Sequence, residues 1–87
     1  MFVHLGGEAI VKKKDIVAIF DMDNTTISRA SREFLANAQD KGMVINVSDE
    51  LPKSYIVTKS ENGVRVYISS ISPATLLKRS KIKNVLA

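Results

Sequence analysis

Apolar positions along this chain follow two rhythms, and the switches between them lay out its elements. "FVHL" is a short apolar-rich segment closed by Gly6 and Gly7, a natural tight turn. "EAIV" follows, then the polar connection Lys12-Lys13-Lys14-Asp15, then "IVAIF", a β-branched run with the character of a buried strand. After "DMDNTT" the spacing becomes helical: Ile27, Ala30, Phe34, Leu35 and Ala38 share one face, with Arg29, Arg32, Glu33, Gln39 and Lys41 mostly off it. Asp, Asn and Thr ahead of it are good N-caps, and Gly42 stands where a C-terminal glycine cap belongs.

"MVINV" is apolar enough for a strand and "SDELP" breaks it. "SYIVT" and "VRVYIS" read as two strands around "KSENG", where Asn62-Gly63 is a strong hairpin signal. "SISPATLLKRS" starts a last helix with Ser72 as N-cap and Pro73 at the first helical position. The order β-β-β-α-β-β-β-α predicts an α+β fold, a small antiparallel sheet with one main helix packed on it.

Length allows one domain over residues 1–87, ending in a basic tail, 80–87, that is expected to be mobile. A chain of 87 residues has a thin core, and self-association is a common compensation. There is no cysteine, which removes disulfides and thiol chemistry and suits a reducing cytoplasm. The start lacks a basic flank before a long apolar run, and no stretch approaches about 18 apolar residues, so neither a signal peptide nor a membrane span is expected. The charge is uneven. Residues 1–50 carry six Lys/Arg against eight Asp/Glu, whereas residues 51–87 carry seven against one. A basic half suits nucleic acid or an anionic surface, and equally a solvated face.

One motif invites an enzyme. Asp21, Asp23 and Thr25 follow a hydrophobic strand at the spacing of the haloacid dehalogenase-like phosphatases. Two carboxylates so placed could hold Mg²⁺ and attack phosphate. That chemistry also needs a cation and further carboxylates from later strands of a parallel sheet. After residue 50 the only acid is Glu61, beside the hairpin turn. Acidic residues near a helix N-terminus have a simpler use, worth about 0.3–1 kcal/mol. Helix initiation is the preferred role, with the Mg²⁺ phosphatase as the remote alternative.

Taken together, "HLGGEAIVKKKDIVAIFD", "EFL…AQDKGMVINVS", "PKSYIVT" and "VYISSISPATLLKR" resemble the small bacterial extracellular matrix regulators of the RemA/RemB type, from about Val3 to Arg79. The Gly6 turn, "DIVAIFD", "PKS" and the "SSxSPxTLxKR" pattern look closer to the RemB branch. The resemblance implies a non-enzymatic regulator without cofactor, small-molecule substrate or membrane, which forms ring-like homo-oligomers and binds double-stranded DNA at biofilm matrix genes. The RemA branch has Arg before the third strand and an Arg pair before the fifth. Here those places hold Asp15, and Leu51 with Pro52, so the arginines do not carry over. A DNA contact would fall to Lys12, Lys13, Lys14 and Lys53, or to Lys78, Arg79, Lys81 and Lys83. Lysines suit backbone contact, whereas base reading favours Arg, Asn or Gln. An oligomeric protein-interaction module without DNA contact is the alternative. His4, alone without a second ligand nearby, is expected to be structural. Tyr55, Tyr67, Phe20 and Phe34 are expected in the core, and Met22 and Met43 at element ends.

Overall fold

The computed structural model describes residues 2–22 and 28–80. The order of elements is the expected one. Strands β1 (Phe2–Gly6) and β2 (Ala9–Lys12) form an antiparallel hairpin, with Val3 opposite Val11 and His4 opposite Ile10. Gly7 is required at its turn: φ is +54°, and a Cβ there would lie 2.8 Å from the Val47 carbonyl oxygen. A 3₁₀ turn over Lys13–Asp15 leads into β3 (Ile16–Asp21).

Helix α1 spans Arg29–Asp40, and Ile27, where its apolar spacing begins, lies outside the described residues with Asp23, Asn24, Thr25 and Thr26. Its N-cap is Ser28, not the expected Asp, Asn or Thr, and the Ser28 side chain accepts from the Ser31 N–H at 3.1 Å. The glycine stop is as expected. Gly42 has φ +71° and donates to Gln39 O, and the Met43 N–H donates to Ala38 O, the paired bonds of a Schellman motif.

Strands β4 (Val44–Asn46), β5 (Ser54–Ser60) and β6 (Gly63–Ser69) join β3 in one sheet of order β3-β5-β6-β4. The β5–β6 turn is tight: Ser60 pairs with Gly63, which takes φ +105°. The sheet is antiparallel except that β4 runs parallel to β6. β3 and β4 therefore point the same way at opposite edges, and a helix is the usual crossover between such strands.

Both sheet faces are covered, which explains why β5 is buried almost continuously. On one face the hairpin and α2 (Pro73–Ser80) lie against the sheet, with Val3, Leu5, Val11, Ile19, Ile56 and Leu76 at the centre. On the other, Ala18, Phe20, Ala38, Val57 and Val66 form a second core with Leu35, Met43 and Tyr55 around it. Phe20 and the two tyrosines sit as expected. Phe34 does not. Helix α1 seats on the sheet through Leu35 and Ala38, and this turns Ala30 and Phe34 toward Val17 on the edge strand, leaving Phe34 37% exposed. Helix α2 begins at Pro73 with the Ser72 side chain accepting from the Thr75 N–H, as its sequence predicts.

Two buried serines fasten the layers. Ser69 Oγ donates to the Leu5 carbonyl at 2.6 Å and accepts from the Ile71 N–H at 3.0 Å, while Ser54 Oγ donates to the Ile71 carbonyl at 2.7 Å. Ser69→Ala strips a buried carbonyl and a backbone N–H of their shared partner and is expected to lower stability by about 1–3 kcal/mol. Urea denaturation checks this, and an unchanged midpoint would show that the hydroxyl does not hold the hairpin down.

Candidate nucleic-acid interface

The lysine run gathers at one end of the fold because three segments meet there. Lys12 ends β2 opposite Phe2, Lys13 and Lys14 form the 3₁₀ turn, and Ile16 then enters the sheet opposite Thr58. The β5–β6 hairpin reaches the same end and adds Arg65, which pairs with Thr58 and whose carbonyl accepts from Thr58 Oγ1 at 3.2 Å. A cleft of about 340 Å³ between the two hairpins is lined by Lys12, Lys14 and Arg65, together with Asp15, Glu61 and Asn62. Beside it, an open shelf of about 600 Å³ is formed by Phe2, Lys12, Lys13 and Lys14. Lys12 and Lys14 are exposed and Lys13 half-buried.

Of the other expected cations, Lys53 does not join them. Lys53 precedes β5, its carbonyl accepting from the Met22 N–H and its N–H donating to Ser69 O, so it lies at the far end of the sheet. A seven-residue strand separates it from the lysine run, a span of about 20 Å at roughly 3.4 Å per residue. Lys78 and Arg79 lie in the last turn of α2, and Arg79 Nη1 donates to the His4 carbonyl at 3.5 Å. That bond sets Arg79 beside β1, two residues along the strand from Phe2. Lys81 and Lys83 lie outside the described residues. Thus Lys12, Lys13 and Lys14 form one group, Lys53 lies at the other end of the sheet, and Lys78 with Arg79 end α2 beside β1.

Arg65 and Phe2 were not singled out in the sequence. Arg65 sits in a strand pattern whose alternation alone does not tell which end of the molecule it faces. Phe2 belongs to the apolar-rich segment "FVHL", whose composition does not tell which residues face the sheet. The register places it opposite Lys12 on the outer face of the hairpin, 64% exposed, with Ile10 59% exposed nearby.

The acidic motif can be placed only in part. Asp21 closes β3, half-buried opposite Ser54, while Asp23 and Thr25 lie outside the described residues. Among the described residues no three His, Cys, Asp or Glu side chains gather as a metal site would require. The sheet around Asp21 is also mostly antiparallel, unlike the doubly wound sheet that brings further carboxylates to such a motif. His4 Nε2 lies 2.9 Å from the Gly7 carbonyl, a bond that braces its own hairpin. Met43 packs at the end of α1, and Met22 lines a cavity of about 350 Å³ beneath that helix with Leu35, Tyr55 and Ile68.

Comparison with known proteins gives the family to which this fold belongs. Residues 2–79 match the family model described as "Extracellular matrix regulatory protein A-like" (RemA-like). The chain is 36% identical over 81 residues to extracellular matrix regulatory protein B of Bacillus subtilis (strain 168), covering 93% of this chain and 91% of that protein. The chain belongs to the RemA-like family of extracellular matrix regulatory proteins, on its RemB branch.

If the three lysines serve a partner and not the fold, their removal is structurally cheap. Replacing Lys12, Lys13 and Lys14 together by Gln is expected to leave stability within about 1.5 kcal/mol of the parent, because surface changes rarely exceed about 0.5 kcal/mol each. Thermal unfolding measures this. A large drop would assign them to the architecture.

Proposed function

We propose that this protein is a non-enzymatic cytoplasmic regulator of extracellular matrix genes that assembles into a closed homo-oligomer and grips double-stranded DNA by its backbone. The observation that carries this is the meeting of Lys12, Lys13 and Lys14 with Arg65 at one end of the fold. Four cations so close suit a row of phosphates, and each contact made releases a counterion. Lysine–phosphate pairs position a protein without reading sequence. A single subunit would hold duplex weakly, and repeated subunits would raise the grip through avidity. Lys53, at the far end of the sheet, and Lys78 and Arg79, at the end of α2, would meet the same duplex from neighbouring copies.

Self-assembly is supported by where the apolar surface lies. The sheet's two edge strands are β3 and β4. Beside β3, Val17 is 64% exposed and borders a hollow with Ala30 and Phe34. By β4, Ile45 and Leu51 are exposed. Unlike patches on opposite edges fit a head-to-tail contact, which gives a ring where the rotation between copies closes, better than a two-fold one. Covering the edges would also remove their hazard for uncontrolled pairing. Family membership supports a regulatory role, and the name of the Bacillus subtilis relative connects it with extracellular matrix.

A role as a protein-interaction module without DNA contact has its own support: Asp15 within the lysine turn, Leu51 and Pro52 before β5, and the exposed apolar pair Phe2 and Ile10.

Gel-shift titration of a promoter-length duplex at several salt concentrations separates the two roles. Binding is expected to weaken steeply with salt, and the triple Lys→Gln variant to lower the slope by about 2.7 for each subunit engaged, at roughly 0.9 per phosphate contact. No shift at low salt would leave the protein-partner role. For assembly, light scattering is expected to find a multiple of the subunit mass, reduced by Val17→Glu. A wild-type monomer at micromolar concentration would end the oligomeric proposal.

A further inference from the structure

The lysines are not alone on their shelf, and their neighbour is the wrong kind of residue for simple backbone contact. Phe2 stands among Lys12, Lys13 and Lys14 with 64% of its surface in water. A duplex resting on these lysines would present phosphates and leave the ring uncovered, because paired bases keep their faces stacked on one another. We infer that this shelf takes an unpaired nucleobase, stacked on Phe2, with its phosphates on the lysines. This rests on the DNA-binding role proposed above and deepens it from backbone grip to recognition of a locally opened strand.

The division of charge around Phe2 supports the inference. Phe2, Lys12 and Lys14 line both the open shelf and the adjoining cleft. Among the described residues the charged side chains of the shelf are all lysines, the chemistry for phosphate. The cleft side adds Asp15, Glu61 and Asn62, with Arg65 as a further cation. Carboxylates there repel phosphate but accept hydrogen bonds from the exocyclic amines of bases, as Glu and Asp do from cytosine N4. A nucleotide is thereby oriented, with phosphate over the lysines, ring on Phe2 and base edge toward the acids. Asp15, repulsive in a pure backbone grip, becomes a base-edge acceptor. Aromatic stacking with adjacent cations is the general solution for single strands, worth about 1–3 kcal/mol per base. The same geometry favours cytosine or adenine over thymine, which has no exocyclic amine.

The chain contains no tryptophan, so Phe2→Trp in the full-length protein gives an indole signal from this shelf alone. Titration with oligodeoxycytidine is expected to quench that emission, oligodeoxythymidine to do so at higher concentration, and a blunt duplex to bind with little quenching. By anisotropy, Phe2→Ala is expected to lose about tenfold in affinity for the single strand, the lower part of the stacking range, with its salt dependence unchanged. Phe2→Tyr should retain binding, which separates stacking from damage to the hairpin. Single-strand affinity unaffected by Phe2→Ala, or binding without quenching, would overturn the stacked base while leaving the lysine–phosphate grip intact. Binding that survives the triple Lys→Gln change would overturn both. Emission already blue-shifted in the free protein and unmoved by DNA would assign the shelf to a second copy of the chain, and this too would overturn the inference.

Discussion

The hydroxyl of Ser69 is the joint on which the rest of the molecule turns. It lies at the end of β6, 1% exposed, and bonds at once to the β1 backbone and to the backbone leading into α2. The hairpin shares no strand pairing with the four-stranded sheet, so nothing in the ladder fixes its orientation. Apolar contact through Val3, Leu5 and Val11 would hold it near the sheet without choosing a direction, since hydrophobic attraction is not directional. A short bond from a buried hydroxyl does choose one. The close approach of Gly7 to the Val47 carbonyl locks the turn from the other side, where any Cβ would collide.

That orientation decides where the charge goes. With its Gly6–Gly7 turn held near Val47 and Ser69, the hairpin must direct its open end, and with it Phe2 and Lys12, toward the opposite end of the sheet. The β5–β6 turn points to the same end, and so Arg65, separated from Lys12 by more than half the chain, comes to line one cleft with it. The far end receives Asp21, and with it the loop carrying Asp49, Glu50 and Lys53. The basic half seen in the sequence is thus not a basic half of the molecule. Among the described residues its cations lie at both ends of the sheet and on α2, and the patch that forms draws mainly on the first half of the chain.

Most of the architecture was legible because local signals agreed with one another. Gly42, Gly63, Ser72 and Pro73 each mark a boundary through a backbone requirement that no tertiary contact needs to enforce. Two things were not legible, for one reason. The face of α1 that meets the sheet, and the end of the molecule to which Lys53 belongs, are settled by packing between distant elements. Periodicity gave α1 an apolar stripe containing both Phe34 and Leu35, and only the seating of Leu35 and Ala38 on Val57 and Val66 decides which of them is buried. Likewise Phe2 follows strand alternation in either orientation, and a slip of one residue in its register would exchange it with Val3. The acidic turn after β3 misled less than it might have. The residues that such chemistry would require from later strands are missing from the sequence itself.

The exposed apolar surface follows from the same economy of size. A chain this short, asked to cover both faces of a four-stranded sheet, has one hairpin and a short helix for one side and a single helix for the other. Helix α1 can seat on only part of the sheet's width, which leaves a cavity on one flank, beside Tyr55 and Ile68, and a hollow on the other, beside Val17 and Phe34. Filling either from within would need bulk on a helix whose core positions are Leu35 and Ala38, and larger side chains there would lift it from Val66. Added copies of the chain can cover those flanks without disturbing the core. Under the proposed assembly each copy would bring another lysine shelf, so an arrangement that compensated for a thin core would also multiply the cations presented.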